Sequence, residues 1–162
     1  MTRTFFKDIF DNHFDAVRNY IYYRSGDTEL ATDIAQETFM KIWEKQINFN
    51  DNNNVKGFLF KIAGDLFIST YRKQKVIAIF RLNLAPNIEH QSPEDNIQFL
   101  ELKNSYELAL GKLSEKQRTV FLMSRMDNMK YREIATTIGI SVKAVEKRMK
   151  YALSFLKNEL TY

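Results

Sequence analysis

The stretch REIATTIGISVKAVEKRMK, Arg132 to Lys150, reads as two short helices meeting at one glycine. Three positions in it decide how such a pair would cross. Ala135 is small where one helix passes over the other, Gly139 suits a turn that demands positive φ, and Val145 is a branched apolar anchor in the second helix. Ile134, Ile138 and Ile140 supply surrounding core, and Ser141 stands where it can cap the second helix.

The charges add a direction. At roughly 100° per residue, Val142, Val145 and Met149 share one sector. Lys143, Lys147 and Lys150 fall about opposite, flanked by Ala144 and Tyr151. A lysine stripe opposite the anchor is what phosphate contact and entry into the major groove require of a helix-turn-helix. Two helices around a glycine are also an ordinary αα-hairpin, and a lysine stripe is also a solvated face. Both readings stay open on spacing alone.

Outward from this pair the chain reads as helix almost throughout, so an all-α fold is expected. Upstream, Ser114 with Gln117 three residues on has capping-box spacing and starts a helix through about Met126. SPED, Ser92 to Asp95, puts Ser92 at an N-cap and Pro93 at the first helical position, with acids in the first turn. Leu102, Tyr106, Ala109 and Leu113 would form one face of that helix. At the other end, Phe6, Phe10, Phe14, Val17 and Ile21 recur at helical steps until Gly26 stops the run. Asp27 or Thr28 can cap a second helix to about Lys45, burying Ala31, Ala35, Phe39, Ile42 and Trp43. The polar segment NFNDNNN, Asn48 to Asn54, interrupts it. A third helix from about Val55 to Lys75 would bury Phe58, Ile62 and Leu66. Both prolines, Pro86 and Pro93, lie beyond it. The expected organisation is therefore two small helical domains, 1–75 and 92–162, joined by a flexible linker over 76–91.

Composition narrows the function classes. With no cysteine there are no disulfides and no thiolate metal sites, which fits a reducing compartment. No leader-like opening and no apolar run of about 18 residues occurs, so membrane insertion is not expected and the cytoplasm is. His13 and His90 lack paired ligand spacing, the five glycines never cluster, and no nucleophile-elbow or P-loop motif is present. Catalysis, metal and cofactor are accordingly not expected; His13 reads as a partly buried helix residue. Net charge is +4, but its distribution is uneven. Asp27 to Glu44 carries five acids against Lys41, whereas Ser141 to Lys157 carries five bases against Glu146. One part of the chain suits a basic partner and another an acidic one.

The acidic part is patterned. Asp33, Glu37, Met40 and Glu44 follow helical steps and make an acidic stripe with one apolar residue. Like charges four residues apart slightly destabilise an isolated helix, which favours a basic partner surface; a solvated face remains the alternative. Phe39 and Trp43 read as mostly core.

LSEKQRTVFLMSRMDNMKYREIATTIGISVKAVEKRMKYALSFLK, Leu113 to Lys157, resembles the promoter-binding fourth region of an extracytoplasmic-function sigma factor. The DNA-binding domain of response regulators shares this motif, and a stand-alone helix-turn-helix regulator is the alternative reading. The N-terminal half separates them: DTELATDIAQETFMKIWEK, Asp27 to Lys45, is similar to the second region of the sigma family, with Asp33, Gln36, Glu37, Phe39 and Trp43 at matching positions.

The resemblance implies a transcription initiation factor that binds RNA polymerase core and promoter DNA, with an anti-sigma factor as its expected inhibitor. It implies that Asp33, Gln36, Glu37, Met40 and Glu44 dock the clamp helices of the largest polymerase subunit. The minus-ten strand would meet Phe49, Asn52, Asn53, Asn54, Lys56, Lys61, Arg72 and Lys73, since melted bases need stacking surfaces and a cationic track. Phe58 reads as core instead. The minus-thirty-five element would meet Arg132, Ser141, Lys143, Ala144, Lys147, Arg148, Lys150 and Tyr151. Many relatives carry Asn and Asp where this chain has Asp65 and Ser69, so base preference at minus ten is not carried over.

Overall fold

The structure is a computed structural model that describes residues 1–47, 49, 54–71 and 93–161. Seven α-helices occupy them, with no strand among the described residues: α1 (Arg3–Ser25), α2 (Thr28–Glu44), α3 (Val55–Tyr71), α4 (Pro93–Lys112), α5 (Glu115–Arg125), α6 (Tyr131–Ile138) and α7 (Val142–Leu160).

The boundaries follow from local chemistry. Thr2 caps α1 by accepting from the Phe5 N–H, and Gly26 ends it at φ 69°, a left-handed conformation costly for any residue with a Cβ. Asp27 then caps α2 by accepting from the Leu30 N–H at 3.0 Å. Ser114 caps α5 and Ser141 caps α7 in the same way. The expected helix starts at Asp27, Ser114 and Ser141 are thus realised. Ser92 and the linker 76–91 lie outside the described residues, as does the end of the third helix beyond Tyr71.

Helices α1, α2 and α3 pack on one another, and α5, α6 and α7 do likewise with α4 laid on α7. Between α1 and α2 the core is aromatic: Phe6, Phe10 and Phe14 place their rings 6.4, 5.0 and 5.8 Å from that of fully enclosed Phe39. Val17, Ile21, Ile42, Leu59 and Ala63 complete this half. Val120, Leu122, Met123, Ile134, Val145, Met149 and Ala152 fill the other. The halves also touch, α1 against α5 and α3 against α6.

Three core expectations need correction. Trp43 is 39% exposed; one side of its indole packs on Phe6 at 5.0 Å, and the rest lies at the open end of the aromatic layer. Leu102 is 55% exposed, because α4 packs chiefly on α7 and buries Ala109 and Leu110 near its end, with Leu113 buried just beyond it. Phe58 is 37% exposed, since α3 turns Leu59, Phe60, Ala63, Leu66 and Phe67 inward instead.

Candidate nucleic-acid interface

The helix-turn-helix is built as its sequence requires. Gly139 closes α6 at φ 69° and ψ 39°, with its N–H donating to the Ala135 carbonyl. The Ile140 N–H reaches the same carbonyl at 3.0 Å, which folds the chain back within two residues. Ala135 is buried at the crossing, and Val145 and Met149 anchor α7 beneath it. At the turn's exit the Ser141 hydroxyl accepts from the Ala144 N–H at 3.1 Å, fixing the start of α7.

That packing points the basic residues outward. Lys143, Lys147, Lys150 and Tyr151 are exposed on α7, Ser141 is exposed at its cap, and Arg132 is exposed on α6. Ala144 and Arg148 are half-buried at the edge of the same surface. Three lysines along two turns can meet phosphates, while short Ala144 leaves room for a base edge.

On α2 the opposite charge is displayed. Asp33, Gln36, Glu37 and Glu44 are exposed while Ala31, Ile34, Ala35, Thr38 and Ile42 are buried. Met40, 58% exposed, sits in the middle of the acidic row. Lys41 reaches back to Glu37 at 3.3 Å, an exposed i,i+4 pair of little energetic weight.

The start of α3 faces the helix-turn-helix across a groove of about 750 Å³. Phe49, Asn54, Phe58 and Lys61 line one wall, and Thr136, Thr137, Ile138 and Gly139 line the other. The Phe49 and Phe58 rings meet edge-on at 5.5 Å, and the half-buried Phe49 packs against the core while also lining the groove. The Asn54 carboxamide oxygen accepts from the Gly57 N–H at 2.9 Å and serves as a local cap at the head of α3. Lys56 is half-buried, 4.0 Å from the Met129 sulfur, and Lys61 is exposed. Asn52, Asn53, Arg72 and Lys73 lie outside the described residues.

Residues 9–76 match the family model of sigma-70 region 2, and residues 103–156 match that of sigma-70 region 4. The extracytoplasmic-function RNA polymerase sigma factor SigW of Bacillus subtilis is 30% identical over 96% of this chain and 88% of its own length. The chain belongs to the extracytoplasmic-function sigma factors. The ferric citrate uptake sigma factor FecI of Escherichia coli is 26% identical over 91% of this chain and 86% of its own. Among solved structures, the sigma factor RpoE of Bartonella quintana, in complex with the anti-sigma factor NepR, superposes with a TM-score of 0.66 at 24% identity, covering 96% of each chain. CnrH, in complex with the cytosolic domain of CnrY, gives 0.65 at 22% identity over 98% of this chain and 89% of its own. These two share the fold.

The sigma factor also contains polar contacts between its halves that sequence reasoning missed. Arg118 on α5 is only 5% exposed. Its Nε donates to the Tyr23 carbonyl at 3.0 Å, Nη2 to the Arg24 carbonyl at 2.8 Å and Nη1 to the Leu113 carbonyl at 2.9 Å. Burial pushes this guanidinium down to about 10, so it remains a cation at neutral pH. Beside it the Arg24 Nε donates to Glu115 at 2.6 Å, and the Tyr23 hydroxyl donates to Asp127 at 2.7 Å. Burial raises both Tyr23 and Asp127 above their ordinary values; for Asp127 the bond from Tyr23 and the charge of Lys56 partly counter it. The available signal was the unbroken apolar run Val120 to Met123, which no one-sided helix needs. Helix α5 is covered on two sides, by α7 and by α1.

Proposed function

We propose that this sigma factor divides promoter recognition between its two helical halves, with α2 docking polymerase, the groove face of α3 holding the minus-ten strand and α7 reading the minus-thirty-five element. The observation that carries most weight is the split of α2. Its apolar residues are buried in the bundle while Asp33, Glu37, Met40 and Glu44 remain outside as one acidic row with an apolar centre. A basic helical surface with one apolar pocket satisfies such a row, and water does not satisfy Met40.

At minus ten, Phe49 and Phe58 offer an aromatic face to an extruded base, and Lys56 and Lys61 offer charge to the strand that carries it. At minus thirty-five, Lys143, Lys147 and Lys150 fix α7 on phosphates, Ser141 and Arg132 frame its entry, and Ala144, Arg148 and Tyr151 lie nearest to base edges. The factor works by binding and strand capture, without catalytic chemistry of its own, beside the chromosome in the cytoplasm. No described helix is long and apolar enough to cross a membrane, which is consistent with that location. The solved complexes of RpoE with NepR and of CnrH with CnrY support an anti-sigma factor as a further partner.

The test is transcription in vitro with purified core polymerase on genomic fragments, with Asp33→Lys and Glu37→Lys together as the contrast. Fragment-specific transcripts that depend on the factor are expected, and the doubly reversed variant should lose co-purification with core at unchanged helical circular dichroism. Retention of core by that variant would refute the docking assignment.

A further inference from the structure

Asn54 caps α3 in a different way from the other capping side chains. Thr2, Asp27, Ser114 and Ser141 accept from the N–H groups of Phe5, Leu30, Gln117 and Ala144, so each of those caps tolerates a Cβ on the donor residue. The donor to Asn54 is Gly57, the third residue of α3. A Cβ built on Gly57 falls 2.7 Å from Asn54 Nδ2 and 3.1 Å from its Cγ, well inside van der Waals separation. The carboxamide therefore lies over the bare face of Gly57, in space that any other residue would fill.

Neither backbone nor helix propensity accounts for a glycine at this position. Among the described residues the glycines with positive φ are Gly26 and Gly139, so Gly57 has a conformation open to alanine. Within a helix glycine is less favourable than alanine. Capping does not demand it either, since Asp27, which has the shape of asparagine, caps α2 over Leu30. What the glycine allows is the placement of the carboxamide.

That placement bears on the groove. Asn54 and Gly57 both line it, directly before Phe58, whose ring meets that of Phe49. The Asn54 side chain is tied to the head of α3 by the Gly57 N–H at 2.9 Å, and its carbonyl accepts from the Phe58 N–H at 3.0 Å. The aromatic face beside it is left clear. With a Cβ at position 57 the carboxamide, as the flexible partner, is the part that yields, and the groove it lines is open space for it to enter.

We infer that Gly57 is a positioning residue for strand capture: its missing Cβ lets the Asn54 carboxamide lie on the head of α3, out of the path of a base that reaches Phe49 and Phe58. This rests on the minus-ten reading above.

The test follows permanganate reactivity of unpaired thymines, with core polymerase, on the strongest duplex fragment from the transcription test. Urea midpoints and co-purification with core are measured alongside. Gly57→Ala should open the duplex roughly two- to tenfold more slowly, a smaller loss than removal of a stacking ring, because the rings remain and only access to them is reduced. Its core binding should be unchanged and its urea midpoint equal to or above the parental one, a split that a merely structural glycine would not give. Gly57→Ala combined with Asn54→Ser should recover the parental rate, because the shorter serine caps beside an alanine, as Ser141 does with Ala144.

Parental opening by Gly57→Ala, with Phe58→Ala slow, would overturn the positioning role alone. Opening that stays slow in the double variant would assign the defect to the added Cβ itself, and a lowered urea midpoint in Gly57→Ala would assign it to the fold; either result overturns the inference. If Phe49→Ala and Phe58→Ala also open the duplex at the parental rate, the minus-ten reading fails and the positioning role with it.

Discussion

Replacing Gly139 by alanine isolates one energetic element of the helix-turn-helix. The residue sits at φ 69°, where a Cβ is unfavourable by about 1–2 kcal/mol. A Cβ built there meets no heavy atom within 4 Å, so packing adds nothing to the cost. The expected loss is therefore the backbone term alone, about 1–2 kcal/mol, equivalent to about 2–4 °C in Tm for each kcal/mol in a chain of this size. Asparagine, which tolerates the left-handed region, should recover part of the loss at the same position. Equilibrium urea unfolding of the full chain, followed by circular dichroism, measures all three proteins. Open space also means that the turn keeps its shape, so Gly139→Ala should bind DNA normally well below its Tm. A parental stability for Gly139→Ala, or an asparagine variant less stable than the alanine one, would refute the reasoning. A loss above about 4 kcal/mol would show a clash that the structure does not contain.

Alanine at each of Lys143, Lys147 and Lys150 should weaken fragment binding and reduce the dependence of log K on log salt by about 0.9 for each phosphate no longer neutralised; a slope indifferent to all three would make the stripe a solvated face. Phe49→Ala and Phe58→Ala should each lower transcription from duplex promoters by about five- to a hundredfold, from a stacking loss of roughly 1–3 kcal/mol, with core binding unchanged. Permanganate reactivity of unpaired thymines at the parental rate in both would move the base pocket elsewhere. Burial, and then the charge of Lys56, hold His13 below its ordinary value of 6.5. The folded chain therefore prefers the neutral imidazole, and this contribution is intact above that value and lost as pH falls through the lower folded one. Urea midpoints should drop more steeply toward acid in the parental protein than in His13→Gln, and parallel curves would remove His13 from the account.

What was legible in the sequence follows from how local its cause was. Caps at Asp27, Ser114 and Ser141 and the turn at Gly139 depend on residues within three or four positions, and each formed as its sequence requires. The one-sided helices α2 and α7 also disclosed which residues face out, because burial of one sector leaves the other by elimination. Helix α3 did not. It is apolar around most of its circumference, so spacing alone favours Phe58, Ile62 and Leu66, whereas the bundle turns in Leu59, Ala63 and Leu66 and leaves Phe58 against Phe49. Trp43 departs from its expected burial for a related reason, since an aromatic layer has an end that periodicity cannot locate. Arg118 was invisible for a different one. Two of its three partners are carbonyl groups of residues nearly a hundred positions away, and a carbonyl is present in every residue, so no side-chain pattern records the pairing.

The placement of Trp43 makes the protein its own optical instrument. It is the only indole in the chain, half sheltered by Phe6 and half in water, at the border of the row formed by Met40 and Glu44. Excitation near 295 nm therefore addresses a single site. Its emission wavelength and its access to collisional quenchers report the solvent around the acidic row proposed to dock polymerase, with no dye or tag to disturb that surface.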